Sequence, residues 1–157
     1  MKDDIHIFDF DGTLIDSSHR QITNADGSIN LKHWRANNTR DMIFSDTLLP
    51  LYAHAYQLAN NGAYLIGCTA RELTKADWEF FFLYGFDKLF KKIISRPKGN
   101  ETPDHILKSK QLRYLFNLKS FKNRTKHFYD DNEMNRYALM KMGAYTYEPN
   151  EFIHRQY

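Results

Sequence analysis

Cysteine and long hydrophobic runs are scarce in this sequence. Its 157 residues include a single cysteine, Cys68, so an internal disulfide is excluded and a reducing compartment, the cytoplasm, is expected. No stretch reaches about 18 apolar residues, and no long apolar segment follows Met1–Asp4, so we expect neither a membrane span nor a secretory signal. The Gly-x-x-x-x-Gly-Lys-Ser/Thr loop is also missing, which excludes a P-loop kinase.

Charge is distributed unevenly along the chain. The composition, 42% hydrophobic and 26% charged, is typical of a soluble globular protein, and the length predicts one domain over residues 1–157. Residues 88–126, here called the basic block, hold twelve Lys and Arg against two acids. That local charge of +10 leaves −7 for the rest of a chain whose net charge is +3. The basic block either attracts a polyanion or is the solvated face of lysine-rich helices.

Short apolar runs alternate with segments of helical periodicity. Strands are predicted at 5–8, 64–68, 92–95, 126–129 and 144–147, and helices at 46–61, 74–84, 103–117 and 133–142. Asp46 and Thr74 are the predicted caps of the first two helices. The alternation predicts an α/β fold, with βαβ units around a parallel sheet. Residues 16–45, here called the flap, break the alternation and predict a small hairpin around Asp26-Gly27.

Reactive residue types follow three of the predicted strands. Asp9 and Asp11 come after the first strand, Thr69-Ala70-Arg71 after the second, and Asp130-Asp131 after the fourth. The carboxyl ends of parallel strands meet at one edge of the sheet, where ligands bind in folds of this kind. We therefore expect these residues, which are distant in the chain, to form one site.

Asp9 and Asp11 are two acids separated by a single residue. Like charges held about 4 Å apart at an effective dielectric of about 20 repel by roughly 4 kcal/mol. A divalent cation would convert this repulsion into binding, and carboxylate oxygens are hard ligands that favour Mg²⁺. An EF-hand calcium loop is excluded, because the spacing lacks its third ligand, its central glycine and its terminal glutamate.

Four short motifs resemble those of the haloacid dehalogenase superfamily of phosphatases. Asp9-Phe10-Asp11-Gly12-Thr13 resembles the first motif, and Thr69 resembles the second. A lysine before the fourth strand resembles the third motif, and Asp130-Asp131 resembles the fourth. The resemblance implies a three-layer, Rossmann-like fold with a central parallel sheet. It also implies that the small hairpin flap stands in place of a cap domain.

The resemblance also implies a role for each motif. Asp9 would be the nucleophile that forms an aspartyl-phosphate, and Asp11 would protonate the leaving oxygen and then activate water. Asp9, the backbone carbonyl of Asp11, and Asp130 or Asp131 would bind Mg²⁺, with Asp130 preferred and Asp131 otherwise a helix cap. Thr69 would hydrogen-bond a phosphate oxygen, and Thr13 is assigned to the substrate site. A dehalogenase would lack the second acid, so phosphoryl transfer is favoured.

The identity of the third-motif lysine is left open between two residues of the helix at 103–117. Leu112 and Leu115 follow Lys108 by four and seven residues, which predicts that Lys108 shares their inward side. Lys110 is the alternative and is otherwise assigned to substrate binding, and Lys98 is a weaker third choice on a loop.

The substrate is predicted from a narrower resemblance, to the 3′-phosphatase domain of phage polynucleotide kinase. Thr69-Ala70-Arg71 is similar to its Ser-Gly-Arg, and the segment from Asp104 to Lys108 and the paired acids also correspond. This resemblance implies a nucleotide or a nucleic-acid 3′-phosphate end as the substrate, with Arg71 reaching a phosphate. The alternatives are a phosphatase of small metabolites and an inactive nucleic-acid-binding module. No obligate protein partner is indicated.

Two groups of aromatic residues could either bind the substrate or pack within the protein. Trp34 and Arg35 on the flap could stack on a base of the substrate, or they could be ordinary packing residues of the flap. Trp78 and the Phe80–Phe82 run are interpreted as core residues rather than as a base-stacking platform.

Overall fold

A five-stranded parallel sheet forms the centre of the fold in a computed structural model that describes residues 3–152. Its strands, in spatial order, are β5 (Lys92–Ile94), β4 (Tyr64–Cys68), β1 (Ile5–Phe8), β6 (Lys126–Tyr129) and β7 (Tyr145–Tyr147). A separate antiparallel pair is formed by β2 (Ile15–Asp16) and β3 (Thr47–Leu48). Because β1 is the central strand, the residues that follow it lie in the middle of the sheet's carboxyl edge.

Helices cover both faces of the sheet. They are α1 (Leu31–Ala36), α2 (Arg40–Phe44), α3 (Leu51–Asn60), α4 (Lys75–Leu83), α5 (Phe86–Leu89), α6 (Asp104–Phe116) and α7 (Glu133–Lys141). Phe8 of β1 packs with α3, α4 and α5 in one apolar cluster, whereas Ile7 packs with α6 and α7 in another. Successive strand residues face opposite sides, so β1 contributes to both clusters. Across residues 3–152, every helix is too short or too polar to cross a bilayer.

The predicted strands and long helices are present, with ends that differ by a few residues. The largest difference is at the helix predicted for 46–61, which begins at Leu51. Asp46 is not its cap, because its carboxylate is buried and accepts a hydrogen bond from Arg20 Nη2 at 2.7 Å. Thr74 caps α4 as predicted, in a capping box with Asp77. The short helix α5 and the β2–β3 pair were not predicted.

Part of the aromatic run on α4 faces solvent. Phe80 and Phe81 are buried as predicted, but Phe82 is 67% exposed and Trp78 is 42% exposed. Trp78 and Phe82 are four residues apart and therefore share the outer side of the helix. The prediction that both belong to the core was wrong.

The flap contains more helix than hairpin. The turn predicted around Asp26-Gly27 is present, but only one isolated bridge, between Thr23 and Ile29, pairs its two arms. The rest of the flap forms a short 3₁₀ turn and the helices α1 and α2, whose first turns are capped by the side chains of Asn30 and Thr39. Helix-cap residues are a stronger local signal for secondary structure than the weak alternation of apolar and polar residues in this segment.

Candidate active site

Three carboxylates from two neighbouring strands meet at the carboxyl edge of the sheet. Asp9 follows β1, Asp130 and Asp131 follow β6, and Phe8 pairs with Tyr129 in register. Oxygens of Asp9, Asp130 and Asp131, here called the acidic cluster, all lie within 4.8 Å of one another. Asn132 caps α7, so Asp131 is not the cap of that helix.

Lys108 is the lysine that the structure brings to the acidic cluster. Its Nζ donates to Asp9 Oδ1 and to Asp130 Oδ2, at 2.8 Å each, and the residue is only 1% exposed. Burial alone would lower the pKa of Lys108, but the charges of Asp130 and Asp9 outweigh it and hold that pKa well above the ordinary value. Lys110 is exposed on the other side of α6, and Lys98 is exposed on the loop after β5.

The carboxylates of the acidic cluster repel one another even with Lys108 present. Burial and the charge of Asp130 raise the pKa of Asp9 well above its ordinary value. The same two causes raise the pKa of Asp131 to about 6. Three convergent carboxylates with this excess of negative charge fit a hard divalent cation such as Mg²⁺.

We expect the substitution Asp131→Asn to change how stability depends on pH and on Mg²⁺. Without a divalent cation, folding raises the pKa of Asp131 from 3.8 to about 6, so the folded state binds the extra proton and loses stability as the pH rises through that interval. The substitution should flatten this decline and reduce the rise in melting temperature that Mg²⁺ causes at pH 7. Thermal melts from pH 4 to pH 7, with EDTA or with Mg²⁺, measure both effects.

Asp87, an exposed acid in α5, provides the matched control. The variant Asp87→Asn should keep the pH dependence and the Mg²⁺ response of the unmodified protein. An undiminished Mg²⁺ response in Asp131→Asn would contradict the assignment of Asp131 to the cation site.

Gly12 and Thr13 shape the first motif around the cluster. Thr13 Oγ1 donates to Asp9 Oδ2 at 3.0 Å and accepts from the backbone N–H of Asp131 at 3.2 Å. Gly12 has a φ of +78°, and a Cβ at this position would lie 2.2 Å from Asp131 Oδ2. The motif therefore needs glycine both for its backbone conformation and for the close approach of Asp131.

The side chain of Asp11 lies outside the acidic cluster. It accepts from Ser17 Oγ at 2.6 Å and from Arg71 Nη2 and Nε at 2.6 and 2.8 Å. Burial alone would raise the pKa of Asp11, but the charge and hydrogen bonds of Arg71 outweigh it and lower that pKa. Asp11 is therefore ionised in the resting protein and oriented by two fixed donors.

Arg71 is fully buried among carboxylates. Besides Asp11, its guanidinium donates to Asp77 at 2.9 Å and to Asp46 at 3.2 Å. The expectation that Arg71 reaches a substrate phosphate is therefore not met by this geometry, because its donors already have anionic partners. No clear signal in the sequence predicted this network, since Asp46 and Asp77 both stand at positions typical of helix starts.

The two flap residues assigned to the substrate lie away from the acidic cluster. Trp34 is 1% exposed, with Arg20 and Arg71 over its ring at 4.1 and 4.9 Å. Arg35 donates to Glu72 Oε1 at 2.7 Å and pairs more loosely with a second acid of the body at 3.3 Å. Both side chains hold the flap against the body, so neither is free at the phosphate site.

Thr69 follows β4, the strand that pairs with β1, and Asn135 contacts the acidic cluster. Thr69 is buried at the end of β4, where its Oγ1 accepts from the backbone N–H of Arg71 at 3.1 Å, and it does not cap α4. Asn135, which sequence reasoning missed, donates to Asp130 Oδ2 at 3.0 Å. Its position five residues after Asp130, one turn into the predicted helix, is the only signal that could have found it.

The pocket over the acidic cluster is small. Its volume is about 40 Å³, and residues 21–29 of the flap cover it. Because a water molecule needs about 10–15 Å³ measured in this way, the pocket holds about three water-sized groups. Ile29 N–H donates to Asp104 Oδ2 at 3.1 Å and Asn132 Nδ2 to Asp26 O at 3.3 Å, which keeps the flap loop in place. The pocket has room for a phosphoryl group and no room for a nucleoside.

The basic block lies mostly away from this pocket. Lys91 and Lys92 stand where β5 begins, and Lys119 and Lys122 precede β6, so all four are at the amino edge of the parallel sheet. The acidic cluster is at the opposite, carboxyl edge. Of the exposed cations in the block, Lys98 lies on a loop at the same edge as the cluster.

Known proteins resemble this chain in sequence. Residues 1–148 match the model of a family described as bacteriophage T5 5′-deoxynucleotidase. Over 80 residues, 48% of this chain, the sequence is 36% identical to the 5′-deoxynucleotidase of Escherichia phage T5. The matched part is 33% of that relative, so the chain spans about one third of the relative's length.

Solved structures resemble this chain in fold. A haloacid dehalogenase-like hydrolase from Streptococcus pneumoniae superposes with a TM-score of 0.68 at 13% identity, over 92% of this chain and 83% of that one. A hydrolase of the same superfamily from Geobacter sulfurreducens gives 0.62 at 16% identity, over 91% and 87%. The Pnkp1/Rnl/Hen1 RNA repair complex gives 0.64 at 19% identity, over 92% and 42%. The predicted three-layer fold and the resemblance to haloacid dehalogenase-type phosphatases are confirmed.

Proposed function

The chain belongs to the bacteriophage T5 5′-deoxynucleotidase family, and from this premise we propose that it is a Mg²⁺-dependent phosphatase of deoxynucleoside 5′-monophosphates. The observation that carries the proposal is the placement of Asp9, held against Lys108 and among the other acids under a pocket of phosphoryl size. The name of the phage T5 relative supports the class of substrate.

In this proposal Asp9 acts as the nucleophile. Lys108 binds its Oδ1 and Thr13 binds its Oδ2, so the carboxylate is fixed at the floor of the pocket. Attack of an Asp9 oxygen on phosphorus forms an aspartyl-phosphate, and the bond from phosphorus to the nucleoside oxygen breaks. The ammonium of Lys108 neutralises charge on the group in transfer, which is the main source of rate enhancement in such reactions.

In this proposal Asp11 transfers the protons. Asp11 is ionised in the resting protein, so the proton arrives with the substrate, whose second phosphate pKa is about 6. Asp11 takes this proton from the phosphoryl group and passes it to the leaving oxygen. After the nucleoside leaves, the Asp11 carboxylate takes a proton from the water that attacks the aspartyl-phosphate. The products are the nucleoside and inorganic phosphate, and Ser17 and Arg71 keep Asp11 oriented in both steps.

The acidic cluster would bind the cation. Asp9, Asp130 and Asp131 offer the side-chain oxygens, and Asp11 can add its backbone carbonyl. Bound there, Mg²⁺ supplies positive charge that offsets the repulsion among the acids and polarises the phosphoryl oxygens. Asn135 and Lys108 hold Asp130 in position for this role.

Nucleic-acid 3′-phosphate ends are the second candidate substrate, because the basic block could attract a polynucleotide. The position of that block supports mononucleotides first. A polynucleotide whose 3′ end lay at Asp9 would have to extend from the carboxyl edge to the amino edge of the sheet before it reached four lysines of the block, Lys91, Lys92, Lys119 and Lys122.

Phosphate release from four substrates tests the proposal. We would compare a deoxynucleoside 5′-monophosphate, a deoxynucleoside 3′-monophosphate, a 3′-phosphorylated oligonucleotide and a sugar phosphate, each with Mg²⁺ and with EDTA. We expect Mg²⁺-dependent turnover that is fastest with the 5′-monophosphate and only weakly dependent on salt.

Three other outcomes would contradict the proposal in different ways. Preference for the oligonucleotide, with a steep loss of activity as salt rises, would support the 3′-end candidate. Turnover of the sugar phosphate alone would indicate a phosphatase of small metabolites. Absence of turnover with all four substrates would favour a module that binds without catalysis.

A further inference from the structure

Most cations of the basic block have no acidic partner in the part of the chain that the structure describes. Arg96 binds Asp104, and Lys108 binds two acids of the acidic cluster; both cations are buried. The ten that remain of the twelve are exposed or half-buried. Every ion pair within residues 3–152 is made by cations other than these ten. The solvated face of a lysine-rich helix usually pairs its lysines with acids three or four residues away, and the basic block does not.

Six of these ten cations lie along the amino edge of the sheet and are here called the basic edge. They are Lys91 and Lys92 where β5 begins, Lys119, Lys122 and Arg124 on the loop between α6 and β6, and Lys126, the first residue of β6. The loop follows the edge, because the ring of Phe121 lies 5.3 Å from that of Tyr64 on β4. Further along, the backbone N–H of Ile5 on β1 donates to Thr125 O at 2.8 Å. Neighbouring strands are about 4.8 Å apart, so the basic edge spans about 14 Å from β5 to β6.

Neighbouring cations of the basic edge repel one another. Lys126 Nζ donates to the backbone oxygen of Lys122 at 3.2 Å, which holds these two residues together. Burial, and then the charge of Arg124, lower the pKa of Lys126. Two acids, Asp3 and Asp4, precede β1, so the six cations still leave an excess of +4 at this edge. An anion with several charges would relieve the repulsion.

An exposed tyrosine lies beside the basic edge. Tyr114 on α6 is 71% exposed, and together with Lys92 it lines a shallow surface cavity of about 350 Å³ between α6 and β5. The bases of a single-stranded nucleic acid stack on aromatic rings whatever their sequence, while the backbone follows positive charge. In a duplex the faces of the bases are stacked on one another and are not available to a tyrosine. Positive charge beside an exposed aromatic ring therefore fits a single strand.

We propose that the basic edge binds single-stranded nucleic acid, with its phosphates on the cations and one of its bases stacked on Tyr114. The strand is a second partner and not the substrate, because the acidic cluster with Asp9 lies at the opposite, carboxyl edge of the sheet. Binding at the basic edge requires neither Mg²⁺ nor turnover, so it does not depend on the proposed function.

Fluorescence anisotropy of a labelled oligothymidylate that carries no terminal phosphate measures this binding. We expect saturable binding at low salt that weakens steeply as the salt concentration rises, because each phosphate contact releases a counterion. A plot of the logarithm of the binding constant against the logarithm of the salt concentration should have a slope of about −3 to −4, which corresponds to about four to six contacts with a single strand.

Two substitutions on the basic edge test the role of its cations. Lys92→Gln and Lys122→Gln, both at exposed positions, should each make the slope less steep by about 0.7, because each removes one phosphate contact. The matched control is Lys75→Gln, at an exposed lysine in the first turn of α4 at the carboxyl edge, which should leave the slope unchanged. Phosphate release by Lys92→Gln should equal that of the unmodified protein.

Tyr114→Ala tests the stacking contact separately from the charge. Loss of one stacked base should weaken binding by about fivefold or more and leave the salt slope unchanged. Tyr56→Ala, at an exposed tyrosine of α3 on the other face of the sheet, is the matched control and should bind as the unmodified protein does. Equal affinities in these two variants, or equal affinities of the unmodified protein for the single strand and for a duplex, would overturn the stacking role of Tyr114.

Competition distinguishes the basic edge from the active site. An excess of deoxynucleoside 5′-monophosphate should displace the oligothymidylate no more than sodium chloride of the same ionic strength does. Greater displacement by the mononucleotide would overturn the proposal, because the strand would then lie at the active site. No binding at low salt, or equal slopes in Lys92→Gln, Lys122→Gln and Lys75→Gln, would overturn it as well. Equal affinity for a polyglutamate of similar charge would overturn the assignment to nucleic acid.

Failure of this site and failure of the proposed function give different results. Turnover of mononucleotides by a protein that does not bind the oligothymidylate would overturn the nucleic-acid site alone. Salt-dependent binding of the strand by a protein that releases no phosphate would support the site and contradict only the proposed function.

Discussion

The variant Asp9→Asn should release no measurable phosphate while it keeps its fold. An amide oxygen is a poor nucleophile, so the aspartyl-phosphate cannot form, and the loss should be about 10⁴-fold or more, as when other covalent catalysts lose their nucleophile. Asparagine has nearly the same shape, and it removes one acid from a cluster in which burial and the charge of Asp130 already raise the pKa of Asp9. Steady-state phosphate release and a thermal melt, both with Mg²⁺, measure the two parts of this expectation.

Asp41→Asn is the matched control for Asp9→Asn. Asp41 is an exposed acid in the first turn of α2, so its loss should leave turnover unchanged. Activity within tenfold of the unmodified protein in a well-folded Asp9→Asn variant would refute the assignment of Asp9 as the nucleophile.

The variant Lys108→Ala should lose both activity and stability. Lys108 is 1% exposed and donates to two carboxylates, so its removal leaves Asp9 and Asp130 buried without their counter-ion. Breaking a buried pair in this way costs about 3–5 kcal/mol. The loss of a cation beside the group in transfer should lower kcat by about 10²–10³-fold. Urea denaturation and steady-state kinetics measure the two effects.

Lys110→Ala separates the role of Lys108 from the general effect of losing a lysine on α6. Lys110 is exposed, and substitutions at such positions usually change stability by less than about 0.5 kcal/mol. Addition of Mg²⁺ should recover part of the stability of Lys108→Ala, because the cation also offsets the charge of the acids. A larger loss of activity in Lys110→Ala than in Lys108→Ala would move the third-motif role to Lys110.

Local sequence signals were sufficient for the central sheet and the positions of its acids. The short apolar strands, bounded by turn residues, predicted β1, β4 and β6 with their observed limits. The rule that parallel strands present their carboxyl ends at one edge then brought Asp9 next to Asp130 and Asp131. These inferences succeeded because the strand pattern is local, and because parallel strands, however distant in the chain, end at the same edge of the sheet.

The flap shows where local signals were insufficient. Its sequence has a hairpin turn, and that turn forms, but its arms barely pair, and the segment also contains the helices α1 and α2. Trp34 was open to two interpretations because its burial depends on Arg20 and Arg71, which approach from elsewhere in the chain. Burial is a property of the assembled structure, and an aromatic residue in a polar segment carries no local sign of it.

The sequence by itself determined the order of the strands along the chain, the edge at which the site forms, and the inward position of Lys108. Each of these follows from periodicity or from strand direction, which are local properties. Only the tertiary structure decided that Arg71 binds Asp11, Asp46 and Asp77 instead of a substrate, and that Lys91, Lys92, Lys119 and Lys122 of the basic block lie at the other edge. A charged side chain pairs with whichever opposite charge folding brings within reach. Its neighbours in the sequence do not determine which charge that is.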